Sequence, residues 1–143
     1  MYINNIEFRP VWFDSMGAKS TCTLVITHDT SLIIDPGAAI MHKTFPISDS
    51  AKLNYLEQAK KSVMDASRSA ENVVISHYHY DHLLVNDESE FIYHGKNLWI
   101  KDPNQWINHS QWERSRKFLK WIAKSENNRI QYTRPQKTTF KDP

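Results

Sequence analysis

Residues 71–76 read ENVVIS, a compact apolar run rich in β-branched side chains, and HYHYDH follows at once at 77–82. An apolar run this short, bounded by polar residues, is a buried strand. A chain built around such a strand needs a sheet to pair it and a layer to cover it.

The flanking sequence supplies both. Residues 5–13 predict a strand whose Pro10 suits an edge or a bulge. Residues 20–27 alternate and are rich in Thr, Val and Ile, 28–31 predict a hairpin turn, and 31–37 predict a short buried strand stopping at Pro36-Gly37. These make an antiparallel meander. Residues 38–48 read as loop. Ser48 or Asp49 caps a helix running to about Ser67, with Leu53, Leu56, Ala59 or Lys60, and Val63 at helical spacing and Lys52, Lys60 and Lys61 facing outward. Beyond the histidines, 91–93 and 97–100 predict two short strands around His94-Gly95, and Pro103 starts a turn of helix. A longer helix covers 109–124, with Trp112, Leu119 and Ile122 on one face, and residues 129–133 begin a last strand. The order predicts an α/β protein with a mixed sheet covered by helices.

With 143 residues, the chain is sized for one domain, 1–143. No apolar run approaches a membrane span, and residues 1–10 lack the regions of a signal peptide. Cys22 is the single cysteine, so no internal disulfide forms and no cysteine-based zinc site exists, which fits a cytoplasmic location. Charge is uneven. Residues 1–100 carry 8 Lys/Arg against 12 Asp/Glu, and 101–143 carry 10 against 4. A solvated helix face explains this, and so does a surface that meets an anion such as nucleic acid.

On an extended segment His77, His79 and Asp81 project to one side, and His82 departs from it. Two imidazoles two residues apart grip one cation, and a carboxylate with a third imidazole just beyond grips another. His, Asp and water are the ligands of catalytic Zn²⁺ or iron. The competing explanation is a chance cluster, or histidines hydrogen-bonded in a core. Tyr78 and Tyr80 point the other way, into packing.

His77-Tyr78-His79-Tyr80-Asp81-His82 resembles the H-x-H-x-D-H signature of the metallo-β-lactamase superfamily. Residues 32–37, a strand ending in Asp35, resemble that superfamily's first motif, and residues 13–20 resemble an uncharacterised archaeal branch of predicted metal-dependent hydrolases. The resemblance spans about residues 8–100. It implies an αβ/βα sandwich, with two divalent metal ions at one edge: zinc, or else iron or manganese. His77 and His79 would bind the first, Asp81 and His82 the second, and Asp35 would hold and orient the histidine loop. A water between the cations would lose its proton near neutral pH and attack an ester, phosphodiester or related bond, with Asp81 as the catalytic group that orients it. Asp35 read from its neighbours alone is equally a turn residue before Pro36-Gly37.

Later ligands are missing. Only 61 residues follow His82, and His94, in a turn, and His109, at a helix start, lack the strand-end context of such ligands. Asp102 reads as a turn residue, and His28 and His42 lie in early loops. Two protein ligands per metal rarely suffice. The chain is therefore expected to be the N-terminal half of the sandwich, incomplete at its C-terminus, or to pair with another copy. Two further functions compete. Residues 112–124 interleave Trp112, Phe118 and Trp121 with Arg114, Arg116, Lys117, Lys120 and Lys124, the ingredients of nucleic-acid binding, although aromatics at helical spacing also build cores. A non-catalytic metal-binding scaffold is the other.

Overall fold

The computed structural model describes residues 1–125, and the strand expected at 129–133 lies outside the described residues. Strands β1 (Tyr2–Ile3), β2 (Ile6–Phe13), β3 (Thr21–Ile26) and β4 (Ser31–Ile34) are followed by helix α1 (Asp49–Ser67) and strand β5 (Asn72–Ile75). A 3₁₀ turn (Asp87–Ile92), strand β6 (Asn97–Ile100) and helix α2 (His109–Ser125) complete the order. The six strands form one sheet in chain order, β1 through β4 antiparallel and β4, β5 and β6 parallel. The chain is thus α/β with a mixed sheet.

Local chemistry accounts for most of the elements. Asn4 and Asn5 turn the first hairpin at φ 46° and 69°, a conformation asparagine tolerates well. The register shifts between Pro10 and Trp12, so the proline sits at an irregularity of an interior strand, where its missing N–H costs no ladder bond. Ser48 Oγ accepts the Ala51 N–H at 3.2 Å and caps α1. Asn108 Oδ1 accepts the Gln111 N–H at 3.0 Å and does the same for α2.

Three local expectations are corrected. Residues 91–93 are not a strand. Asn86 and Ser89 cap each other's backbones, and this reciprocal box winds the segment into the 3₁₀ turn. Residues 103–106 make bends instead of a helical turn, with Asp102 Oδ1 accepting the Asn104 N–H. Lys52 does not face outward. It is 3% exposed, whereas Leu53 is 55% exposed, because the buried stripe of α1 runs through 52, 56, 59 and 63. The Lys52 stem packs in that stripe, and its ammonium donates to the Lys43 carbonyl and to Asp49.

The sheet's two faces differ. Trp12, Cys22, Leu24, Ile33, Val73 and Ile75 point into the core, where Ala59 and Val63 of α1 and Phe118 of α2 meet them. Val25, Leu32, Ile34, Val74 and Trp99 lie on the other face, and none belongs to the buried cluster. A groove on that face is lined by Thr30, Leu32, Asn72, Val74 and Trp99.

Candidate functional site

The parallel strands β4 and β5 end side by side, and ligand sites in open α/β sheets gather beyond such carboxyl ends. Asp35 follows β4 directly and adopts φ 49°, a left-handed conformation that Asp accepts more readily than most residues. Its backbone N–H still bonds to the Val74 carbonyl at 2.8 Å, so the carboxylate is anchored against the end of β5. That carboxylate is nearly buried and fully used. Oδ1 accepts the Ser76 N–H at 2.7 Å, and Oδ2 accepts the Ser76 hydroxyl at 2.7 Å and lies 2.9 Å from His82 Nδ1. Burial alone would raise its pKa, but the hydrogen bonds from His82 and Ser76 outweigh it and hold the carboxyl below its ordinary value.

These bonds set the histidine tautomers. An ionised carboxylate only accepts, so His82 Nδ1 carries a proton. The single Ser76 hydroxyl hydrogen goes to Asp35, so the Ser76 oxygen accepts from His77 Nδ1, 3.1 Å away. His77 Nδ1 therefore carries a proton as well. One buried carboxylate orients two imidazoles, one of them through a serine. Burial, and next the charges of His82 and His79, push the His77 pKa down. His79 is lowered by burial first and then by Arg114. Both shifts favour neutral rings.

The loop is not extended, as the alternation argument had it. The N–H groups of His82 and Leu83 both bond to the His79 carbonyl, at 2.9 and 3.2 Å. This turn folds His82 back over His77, with ring centroids 3.7 Å apart, while His79 stands edge-on to His77 at 4.8 Å. His82 Nε2 is 3.7 Å from Asp81 Oδ2. Packing against Gly37 enforces the turn, since a Cβ there would lie 2.2 Å from the Leu83 nitrogen. Tyr78 is buried, as expected, with its hydroxyl donating to the Lys101 carbonyl. Tyr80 is not core packing: its ring is 46% exposed and lies under the Arg114 guanidinium at 5.0 Å.

The structure thus brings Asp35, His77, His79, Asp81 and His82 together. The donor types suit a divalent cation. The rings stack on one another, and among the described residues no group of three or more His, Cys, Asp or Glu side chains converges to hold a metal ion. His28 pairs with the adjacent Asp29, His42 with Thr44, and His109 stacks on Trp112. His94 is exposed after the 3₁₀ turn. Of the aromatics considered for nucleic acid, Phe118 is fully buried and Trp121 packs edge-on to Tyr93, while Arg116 covers Trp112 at 4.3 Å. Sequence reasoning missed Ser76 and Gly37. A hydroxyl residue just before His77 is the signal that could have found the first.

The geometry defines an α/β protein with a histidine and carboxylate cluster at the carboxyl ends of parallel strands. The relatives of this chain are archaeal UPF0282 proteins, a name that states no activity. The chain is 34% identical over 124 residues to the UPF0282 protein of Sulfolobus acidocaldarius, a match covering 82% of this chain and 39% of that protein. It is 35% identical over 130 residues to that of Thermococcus sibiricus (83% and 43%) and 32% over 123 residues to that of Methanocaldococcus jannaschii (79% and 42%). The chain therefore spans about two-fifths of the length of the curated relatives it matches. No family model matches and no solved structure does. These findings correct the metallo-β-lactamase assignment. The six-residue signature resembles that superfamily, but the similarity that extends along the chain is to UPF0282 proteins. A short motif of common ligand residues arises wherever a loop must present imidazoles, so it carries less weight than similarity over 124 residues.

Proposed function

We propose that the 77–82 loop is part of the active site of a metal-dependent hydrolase acting on an ester, phosphodiester or related bond. The observation that supports it is the hydrogen-bond relay: Asp35 holds His82 directly and His77 through Ser76, each by its Nδ1, so that neither Nε2 is used to anchor its ring. A histidine that must bind a cation needs such a partner behind it. Two divalent cations, zinc before iron or manganese, fit this donor set, with His77 and His79 serving one and Asp81 and His82 the other. When bound, they would supply Lewis acidity that lowers the pKa of water.

The chain's own residues do the rest. Asp35 keeps the proton on His82 Nδ1 and stops the ring from turning. Asp81, beside His82 Nε2, orients the attacking water and takes its proton. The loop's packing on Gly37 holds the imidazoles in place. Remaining ligands would come from the length of the relatives that this chain does not span, or from a second copy. A reducing, cytoplasmic setting suits the lone Cys22. Among the described residues no helix is long and apolar enough to cross a membrane.

Calorimetric titration of zinc into the purified chain tests the reading. We expect saturable binding, weakened at least about tenfold in His79→Ala, the scale on which disturbed ligand sets lose metal. Unchanged affinity in the His77→Ala/His79→Ala double variant overturns it.

A further inference from the structure

We propose that the group handled at this loop is anionic, a phosphoryl ester, and that Arg114 of α2 and Lys19, just before β3, receive its charge. This substrate class rests on the hydrolase reading; the anion site itself does not.

The geometry begins with Arg114. Its guanidinium lies 5.0 Å from the centroid of the ring of Tyr80, the residue between His79 and Asp81, so the stack holds a cation against this loop. Lys19 is held near the loop by its backbone. Its N–H bonds to the Ala39 carbonyl and its carbonyl accepts the Ala39 N–H, both at 2.9 Å, which ties it to the segment carrying Gly37. The Ser20 hydroxyl donates to the Gly37 carbonyl at 2.6 Å, and the Thr21 hydroxyl is 3.3 Å from His82 Nδ1. Lys19 is therefore mounted on the same rigid contact that positions His82.

Among the described residues no carboxylate forms an ion pair with Arg114 or Lys19. Two of the nearby acids are engaged elsewhere, Asp35 with Ser76 and His82 and Asp14 with the Ser20 N–H at 2.8 Å, while Asp81 Oδ2 lies 3.7 Å from His82 Nε2. Two cations without an ion-pair partner among the described residues, beside a loop of imidazoles, would repel a cationic substrate and gain little from a neutral one. A phosphoryl group presents several oxygens to a guanidinium fork and to a lysine point charge at once. The uneven charge of residues 101–143 gains a local role here, since Arg114 belongs to that segment.

The test uses the 143-residue chain and inorganic phosphate, followed by two-dimensional amide NMR. Phosphate should shift resonances around residues 19–21 and 79–82, and binding should weaken about tenfold in Arg114→Gln and in Lys19→Gln, and as ionic strength rises. Arg114→Lys should recover part of the loss, which guards against a merely misfolded variant. Equal phosphate affinity in wild type and in folded Arg114→Gln/Lys19→Gln overturns the proposal. Zinc titration of the same variants separates the two ideas. Lost phosphate binding with zinc affinity retained supports the anion site. Lost phosphate binding in variants whose wild-type parent binds no zinc keeps the anion site and removes the hydrolase reading. The enzyme arms then assign the source: faster turnover of p-nitrophenyl phosphate indicates a monoester, and of bis(p-nitrophenyl) phosphate a diester. Preference for uncharged p-nitrophenyl acetate overturns the substrate class.

Discussion

Asp35 concentrates the physical demands of this protein in one residue. It is 5% exposed, sits at a positive φ, and receives two bonds from Ser76 and one from His82. Its pKa is lowered in the fold, so its stabilising contribution is complete above the ordinary carboxylate range and is lost as the pH falls through the lowered folded value. Asp35→Asn should cost about 2 kcal/mol near neutral pH, because an amide replaces one of the two accepting oxygens with an NH2 that faces a donor, and should flatten the acid limb of the stability curve. Urea unfolding at a series of pH values checks this; an Asn variant with the wild-type acid limb would remove the charge argument. Asp35 was legible in the sequence as a strand-ending acid, but Ser76 was not, because nothing in the local pattern says that its hydroxyl meets a residue 41 positions earlier.

At the scale of elements, the decisive contact is between two loops. The turn after β4 and the histidine loop after β5 meet at Gly37, where a Cβ would sit 2.4 Å from the backbone nitrogen of His82. The Pro36-Gly37 pair was readable as a stop signal for a strand. Its other role depends on β5 lying beside β4, which a local reading does not contain. Gly37→Ala should destabilise the chain by about 1–3 kcal/mol through overpacking, a fall of several degrees in Tm, and should disturb the His77–His82 stack. Thermal melting together with histidine ring resonances measures both; an unshifted pair of spectra would show that the loops are not packed as described. α1 makes the same point in reverse. Helical spacing located the helix, yet the stripe that faces the core begins at Lys52, since a long stem can be buried while its ammonium finds a carbonyl.

At the scale of the molecule, α1 and α2 cover one face of the sheet, and among the described residues no helix packs on the other. Trp99 is 66% exposed on β6, an edge strand among the described residues, and the groove it lines is apolar in Leu32 and Val74. An apolar face next to an open edge favours association. Sedimentation at rising concentration should show the 143-residue chain self-associating, and Trp99→Lys should reduce this; association unchanged by the substitution would place the contact elsewhere.

The sequence by itself determined the antiparallel meander, the two helices, the buried strand at 72–75 and the clustering of imidazoles after it, because these follow from periodicity and turn chemistry within a few residues of each other. The tertiary structure alone decided that His82 folds back onto His77, that Asp35 and Ser76 set the histidine tautomers, that Lys52 is buried, and that Arg114 stands over Tyr80. The His77–His82 stack is local in sequence but is enforced by the packing of its turn on Gly37; the other contacts join positions 34 to 47 residues apart, or turn on which stripe of a helix the sheet accepts, and such pairings come into being only when the layers close on one another.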